Sequence, residues 1–322
     1  MHLANILKSK VTINAGWLIA GRIYHMLLTF FIGLLTARYL GPANYGLINY
    51  AAAYTTFFAS FCTLGINSVI VKNFVDNPDD EGETIGSAIV LRTVSSLLSV
   101  IMMICITLFM DKGEVTTNIV VALCSIGVLF QVMDTLNYWF QAKLQSKYAA
   151  LATVISYTVV SIYKIWLLLT GKSVEWFAIS TSLDSFVVAI VLLVMYYKQN
   201  GPKFSFSVKK SKELFLSSYH FILAGLMVAI YGSTDRFMLK QMLNESEVAY
   251  YSTAVALCNT WVFVLAAIID SMYPVILQHF GKNNGKFEQK NRQLYAIVFY
   301  MSVLASSLIS VLATFIVKVL YG

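Results

Sequence analysis

Six ionisable side chains lie inside long apolar runs of this chain: Arg22, His25, Arg92, Lys164, Asp184 and Asp270. A charge held in an apolar medium is costly unless it faces protein or water, so each is a candidate for binding or for handling an ion. Arg22 sits roughly ten residues into the first run, too deep to snorkel easily, and reads as a cavity residue. His25, one turn on and on the same face, could titrate or simply hydrogen-bond. A lone buried carboxylate is protonated or paired, and in Asp184 and Asp270 either state suits coupling to a proton or sodium. A static ion pair is the competing reading for both. Arg92 and Lys164, like Asp134 and the Asp235-Arg236 pair, lie nearer the ends of their runs, where snorkelling or a local salt bridge is the default. The same two cations would add positive potential to an inner cavity, and such a field attracts a diphosphate.

Other chemistry is missing from the sequence. Gly171-Lys172-Ser173 resembles the end of a phosphate-binding loop, but Trp166 stands where the leading glycine belongs. There is no HExxH, no metal-spaced Cys/His set and no nucleophile elbow. The four cysteines each sit in an apolar run outside any CxxC, as core or lipid-facing residues rather than disulfides or metal ligands. No enzyme, no metal site and no cofactor is expected.

The elements that must position these residues are membrane helices. Of 322 residues 58% are hydrophobic and 12% charged, against the roughly 25% charged of a soluble domain. Mean hydropathy is +0.71. The +7 net charge is broken into short clusters between apolar runs, a topology signal and not a nucleic-acid surface. A helical span needs about 20 apolar residues. About nine fit, near 12–37, 45–71, 86–110, 116–138, 148–170, 174–197, 213–240, 248–277 and 293–320, with turn signals such as Leu40-Gly41-Pro42-Ala43-Asn44 and Asp111-Lys112-Gly113 between them. Leu3, Ile6 and Leu7 share a side of a short interfacial helix ahead of the first span, which lacks a signal-peptide cleavage site. With the N-terminus inside, cytoplasmic segments hold fourteen Lys and Arg and the opposite side five, so the N-terminus is expected in the cytoplasm.

A weak repeat divides the chain. At an offset of 203, Leu40 to Gly46 faces Leu243 to Ala249, and Ala51-Ala52-Ala53 faces Ala254-Val255-Ala256. Six spans separate the copies, so both enter the membrane from the same side, as in parallel-repeat transporters. Polar residues align as well. Asn49, Thr56, Ser60, Thr63 and Asn67 form a stripe on the second span, and Ser252, Asn259 and Asp270 form one on the eighth, three of whose positions match. The first span carries Arg22, His25, Thr29, Gly33 and Thr36. Such stripes either glue helices together or face a shared cavity. The expected domains are an interfacial segment 1–11, a six-helix lobe 12–198, a basic cytoplasmic linker 199–212 and an incomplete lobe 213–322.

The run Thr36-Ala37-Arg38-Tyr39-Leu40-Gly41-Pro42-Ala43-Asn44-Tyr45-Gly46 resembles the first-loop motif of Wzx-type polysaccharide flippases, within the multidrug/oligosaccharidyl-lipid/polysaccharide exporter superfamily. Thr234-Asp235-Arg236-Phe237-Met238-Leu239, Glu247-Val248-Ala249-Tyr250-Tyr251-Ser252 and Ser271-Met272-Tyr273-Pro274 are similar to later motifs, with Ala249 where glycine is frequent. The resemblance implies an all-α, two-lobed, alternating-access transporter of the bacterial inner membrane. Its substrate would be an undecaprenyl-diphosphate-linked oligosaccharide, driven by a coupling cation, with membrane lipids and polysaccharide polymerase machinery as partners. Members have twelve or fourteen spans, so six spans plus three is expected to be a C-terminally shortened chain. A cation-coupled drug exporter of the same superfamily and an inactive fragment are the rival expectations.

Overall fold

The computed structural model describes residues 10–277 and 285–321; within its helices some side chains, that of Asp270 among them, lie outside the description, as do the expected interfacial residues Leu3, Ile6 and Leu7. The described residues form α1 (Lys10–Thr63), α2 (Asn67–Asp76), α3 (Glu81–Met110), α4 (Val115–Phe130), α5 (Thr135–Ala142), α6 (Lys147–Thr170), α7 (Val174–Lys198), α8 (Val208–Met242), α9 (Glu245–Leu277) and α10 (Lys286–Tyr321), with no strand among them. Seven helical stretches are long and apolar enough to cross a membrane. The chain is therefore an all-α, multi-pass membrane protein. The first stretch, Ala20–Thr63, is 44 residues long, about two spans' worth, and α9 adds a 33-residue helix outside the seven.

Two glycines shape the start of the chain. Gly41 (φ 70°, ψ 174°) bends α1 into two arms, in a conformation that side chains resist, and Pro42 then opens the second arm where its missing N–H costs nothing. The second arm stops at Thr63, short of the expected 71. Leu64 (φ 48°) and Gly65 (φ 57°) turn the chain, because α8 lies against this corner: a Cβ on Gly65 would sit 2.6 Å from the Phe221 carbonyl carbon. Asn67 consequently begins α2 and is not on the helix that carries Asn49, Thr56, Ser60 and Thr63, which breaks the expected five-residue stripe. The expected span 116–138 is likewise divided, by a 3-10 turn at Gln131–Asp134.

Apolar packing gathers in two clusters. Tyr50, Tyr54, Phe58, Met103, Cys124 and Phe177 fill the one nearer Gly41; Ile70, Phe74, Trp139, Phe140, Tyr196 and Leu214 fill the other. Phe237 docks α8 onto α1, edge-on to Tyr54 at 4.6 Å and to Tyr50 at 5.8 Å between centroids. Cys62 and Cys124 are buried, Cys105 and Cys258 exposed, and all four thiols are free.

The basic segment 199–212 is held down rather than loose. The Tyr196 hydroxyl donates to the Pro202 carbonyl at 2.5 Å, Ser205 N–H to the Gly82 carbonyl at 3.1 Å, and Ser207 N–H to Ser87 Oγ at 3.2 Å. Residues 208–212 already belong to α8, whose first turn is capped by Ser207 Oγ accepting from Lys210 N–H at 3.3 Å. A Cβ on Gly86 would overlap the Ser205 carbonyl. Gly86→Val is therefore expected to cost about 1–3 kcal/mol through overpacking. A thermal melt of the purified protein checks this against Gly225→Ala, where a Cβ meets nothing within 4 Å.

Contacts divide the chain into Met1–Ala249 and Tyr250–Gly322, a boundary within α9 and downstream of the 199–212 segment. The first unit holds α1 to α8 and the opening turn of α9. In the second, Lys290 Nζ donates to Gln293 Oε1 at 3.0 Å at the head of α10, and Phe299 meets Tyr300 edge-on.

Candidate functional site

Three of the expected site residues meet inside the first unit. Asp184 of α7 accepts a 2.5 Å hydrogen bond from the Ser156 hydroxyl of α6. His25 of α1 lies with its ring centroid 3.6 Å from that of Tyr157, one residue along α6. His25 and Lys164 both interact electrostatically with the Asp184 carboxylate, and so does Asp134. Spacing sets this arrangement. Ser156, Tyr157 and Lys164 are drawn from two turns of α6, and Gly21 and His25, four apart on α1, both face that helix. Gly21 is the close-approach point: a Cβ there would be 3.4 Å from Ala150 Cβ. Chemically, a carboxylate beside a hydroxyl, an imidazole and an ammonium can take up and release a proton.

Arg22 points elsewhere. It follows Gly21 by about 100° around the helix and is exposed, with no ion pair to a described acidic residue. Arg22 and His25 thus share a helix turn but not an environment.

Arg92 and Asn67 meet each other instead, deep in the bundle. Arg92 is 1% exposed. Its Nη1 donates to Thr135 Oγ1 at 3.2 Å, Nη2 donates to Asn67 Oδ1, and the guanidinium carbon lies 5.4 Å from the Tyr138 ring centroid. Asp134 is within its electrostatic reach. One side chain so ties α2, α3 and α5 together.

Several polar-stripe residues of α1 bond to their own helix. Asn49 Nδ2 donates to Tyr45 O at 2.8 Å, Thr56 Oγ1 to Ala52 O at 2.8 Å and Thr36 Oγ1 to Ile32 O at 2.7 Å. Such back-bonding satisfies a hydroxyl or amide without a partner on another helix. Asn259 is exposed in the second unit, and the side chain of Asp270 lies outside the described residues.

A second polar cluster escaped the sequence reading. At the end of the first unit that carries Gly41, the Asp111 carboxylate is 3% exposed. It accepts from Gln241 Nε2 at 2.7 Å and from the Tyr50 hydroxyl at 3.1 Å, and Tyr50 Oη is 3.2 Å from Tyr54 Oη. Beside it, Lys240 Nζ reaches Glu114 at 2.8 Å and Glu245 at 2.6 Å. Burial pushes the Asp111 carboxyl above its ordinary range, against the hydrogen bonds from Gln241 and Tyr50. Burial pushes Glu114 upward too, but the bonds from Lys240 and Thr117 outweigh it and hold Glu114 below the usual range. Alongside, Gly46 lies against the Glu245 carbonyl and the Ala249 N–H, so the two positions that the repeat offset pairs, 46 and 249, are neighbours in space. The signal that could have found this cluster is the Tyr50/Tyr54 pair, two hydroxyls one turn apart inside an apolar run. Asp111 and Lys240 read only as loop charges.

A family model described as polysaccharide biosynthesis protein matches residues 11–280. Three solved structures share the fold. An inward-facing multidrug resistance MATE family transporter of the MOP superfamily is 17% identical, with TM-score 0.66 over 91% of this chain and 72% of that one. A MATE protein solved with MaD3S is 16% identical, with TM-score 0.64 over 97% of this chain and 74% of that one. A MOP superfamily transporter from Pyrococcus furiosus, noted for the reverse polarity of its binding pocket, is 15% identical, with TM-score 0.65 over 98% and 75%. At such identities the likeness concerns the fold alone. No curated protein sequence matches the chain.

Proposed function

Because this chain belongs to the polysaccharide biosynthesis protein family and has the fold of MOP superfamily transporters, we propose that it is a flippase for undecaprenyl-diphosphate-linked oligosaccharides. The headgroup would cross from the cytoplasmic to the periplasmic leaflet of the bacterial inner membrane while the prenyl tail stays in lipid. The observation that carries this reading is the family match over most of the chain. The excess of Lys and Arg on one side supports a cytoplasmic N-terminus.

In this reading Arg22 is the diphosphate contact, since it is an exposed guanidinium on a spanning helix. Arg92 and Lys164, held within the bundle, add positive potential and position their neighbours. Asp184, with His25 and Ser156 around it, is the ion-coupling group, and Asp270 is its counterpart in the second half. Asn49 and Asn67 in the first unit and Asn259 in the second are each proposed as a polar substrate contact. Polysaccharide polymerase machinery would receive the product.

Reconstituted vesicles with a fluorescent lipid-linked sugar test the proposal. Arg22→Ala is expected to slow flipping about tenfold or more, the worth of a lost charge-assisted hydrogen bond. Unchanged flipping in Arg22→Ala, Asp184→Asn and Asp270→Asn together would sink the assignment of these sites. The rival reading is a cation-coupled drug exporter; one protein of the same fold is named a multidrug resistance transporter. Export of ethidium by the same vesicles, with no lipid flipping, would establish that rival.

A further inference from the structure

We propose that the cleft between α2 and the first turns of α8 receives the sugar headgroup of the substrate, a reading that rests on the flippase assignment above. The cleft has a volume of about 460 Å³, within the range of about 300–1,000 Å³ typical of small-ligand sites. Its wall from α2 presents Lys72, Asn73 and Asp76, continued by Asn77, and its wall from α8 presents Glu213 and Ser217. Phe221 closes one end, where its backbone packs on the Gly65 corner.

The chemistry of this lining selects a neutral polyol over an ion. The lining carries one cation, Lys72, and two carboxylates, Asp76 and Glu213; Glu213 is paired with Lys210, outside the lining, at 3.6 Å, so the local charges nearly balance and leave little net field to draw a diphosphate. What remains is a mixed set of donors and acceptors: two amides, a hydroxyl, an ammonium and two carboxylates, as a ring of sugar hydroxyls requires. Asn73 donates from Nδ2 to Val69 O at 3.3 Å and its Oδ1 is buried, so Asn77, which is exposed, is the amide open to a ligand. The Phe221 side chain is 49% exposed and offers a π face to the C–H side of a sugar ring. The position also fits. Lys72 and Asp76 follow the second arm of α1, so the cleft lies at the opposite end from Gly41. The Lys/Arg count assigns that end to the cytoplasm, where a lipid-linked sugar would load.

The test uses the full chain in nanodiscs and two kinds of probe: undecaprenyl diphosphate bearing N-acetylglucosamine or galactose, and undecaprenyl diphosphate alone. The variants are Asn77→Leu with Ser217→Val, and separately Phe221→Ala; all three side chains are exposed, so the fold should tolerate them. Wild type is expected to bind a sugar-bearing lipid more tightly than the bare one. The variants should lose about tenfold in affinity for the sugar-bearing lipid, the worth of one or two hydrogen bonds, and bind the bare lipid as before. Sugar-lipid affinity untouched by the variants, or equal losses for both lipids, would overturn the cleft as a sugar site while leaving the flippase reading standing. Displacement of the sugar-bearing lipid by tetraphenylphosphonium in wild type but not in Glu213→Gln would make the cleft a cation site and overturn the proposal too. Binding of neither lipid to wild type would remove the flippase reading and the cleft with it.

Discussion

Arg92→Met is expected to destabilise the protein by about 3–5 kcal/mol, the loss typical when one partner of a buried, hydrogen-bonded charge set is removed. The guanidinium is enclosed, and its donors reach Thr135 and Asn67, side chains from two other helices. Methionine fills much of the same volume, so the loss would come from unpaired polar groups and not from a cavity. Asn67 Oδ1 would lose its donor, and Asp134, itself packed in the bundle, would lose its nearby positive charge. Arg92→Lys should recover little, because an ammonium cannot bond Asn67 and Thr135 in the forked geometry of a guanidinium. The second substitution Asn67→Leu should cost less in the Arg92→Met background than alone, since the two share one interaction. Melting temperatures of the wild type and the four variants in one detergent decide it. A drop of less than about 1 kcal/mol for Arg92→Met would show that the guanidinium is not a tie between helices. Flipping measured on the folded fraction would then separate this structural part from any contribution to diphosphate attraction.

The sequence made the helices legible because membrane helices announce themselves by length and hydropathy alone. Each expected span falls on helical chain, although 45–71 and 116–138 are each broken across two helices, and the charged residues within them were visible as exceptions. Partners were harder to see. Arg92 read as a residue that could snorkel or charge a cavity; its pairing with Asn67 and Thr135 depends on α2 and α5 arriving from positions 25 residues earlier and 43 later. The break at Leu64-Gly65 was also hidden, since an apolar stretch with one glycine reads as continuous helix, and the reason to break, the backbone of Phe221, lies far along the chain. Asp184 was identified as a lone carboxylate, but its environment of Ser156, His25 and Lys164 follows from how α1, α6 and α7 pack. The cluster at Asp111 and Lys240 escaped because charges at the ends of spans are normally solvated, and nothing local says that two such ends are brought together.

That cluster yields the second large effect. Lys240→Met would leave Glu114 and Glu245 facing each other without the ammonium that separates them. The Lys240 side chain is 5% exposed, while Glu114 and Glu245 are 43% and 29% exposed. Solvent screens the carboxylates, so the expected cost is about 1–2 kcal/mol, below that of a fully buried pair. Its pH dependence is the sharper prediction, because the neighbouring carboxylates are shifted in opposite directions. Glu114 is held below its ordinary value, near 4.3, so its stabilising contribution is present above that value and is lost as pH falls through the depressed one. Asp111 is raised by burial, so its contribution is fully present below about 3.9 and is lost as pH rises through the elevated value. The Glu114 contribution therefore weakens on the acid side, and the Asp111 contribution weakens as pH rises above the ordinary carboxylate range. Lys240→Met should flatten the acid side of that profile and Asp111→Asn the neutral side, as read from melting temperature against pH. A stability difference between wild type and Lys240→Met that stays constant from pH 4 to 8 would show that Lys240 acts by packing alone, and would remove the ionic account of how the start of α9 is fastened to the α3–α4 connection.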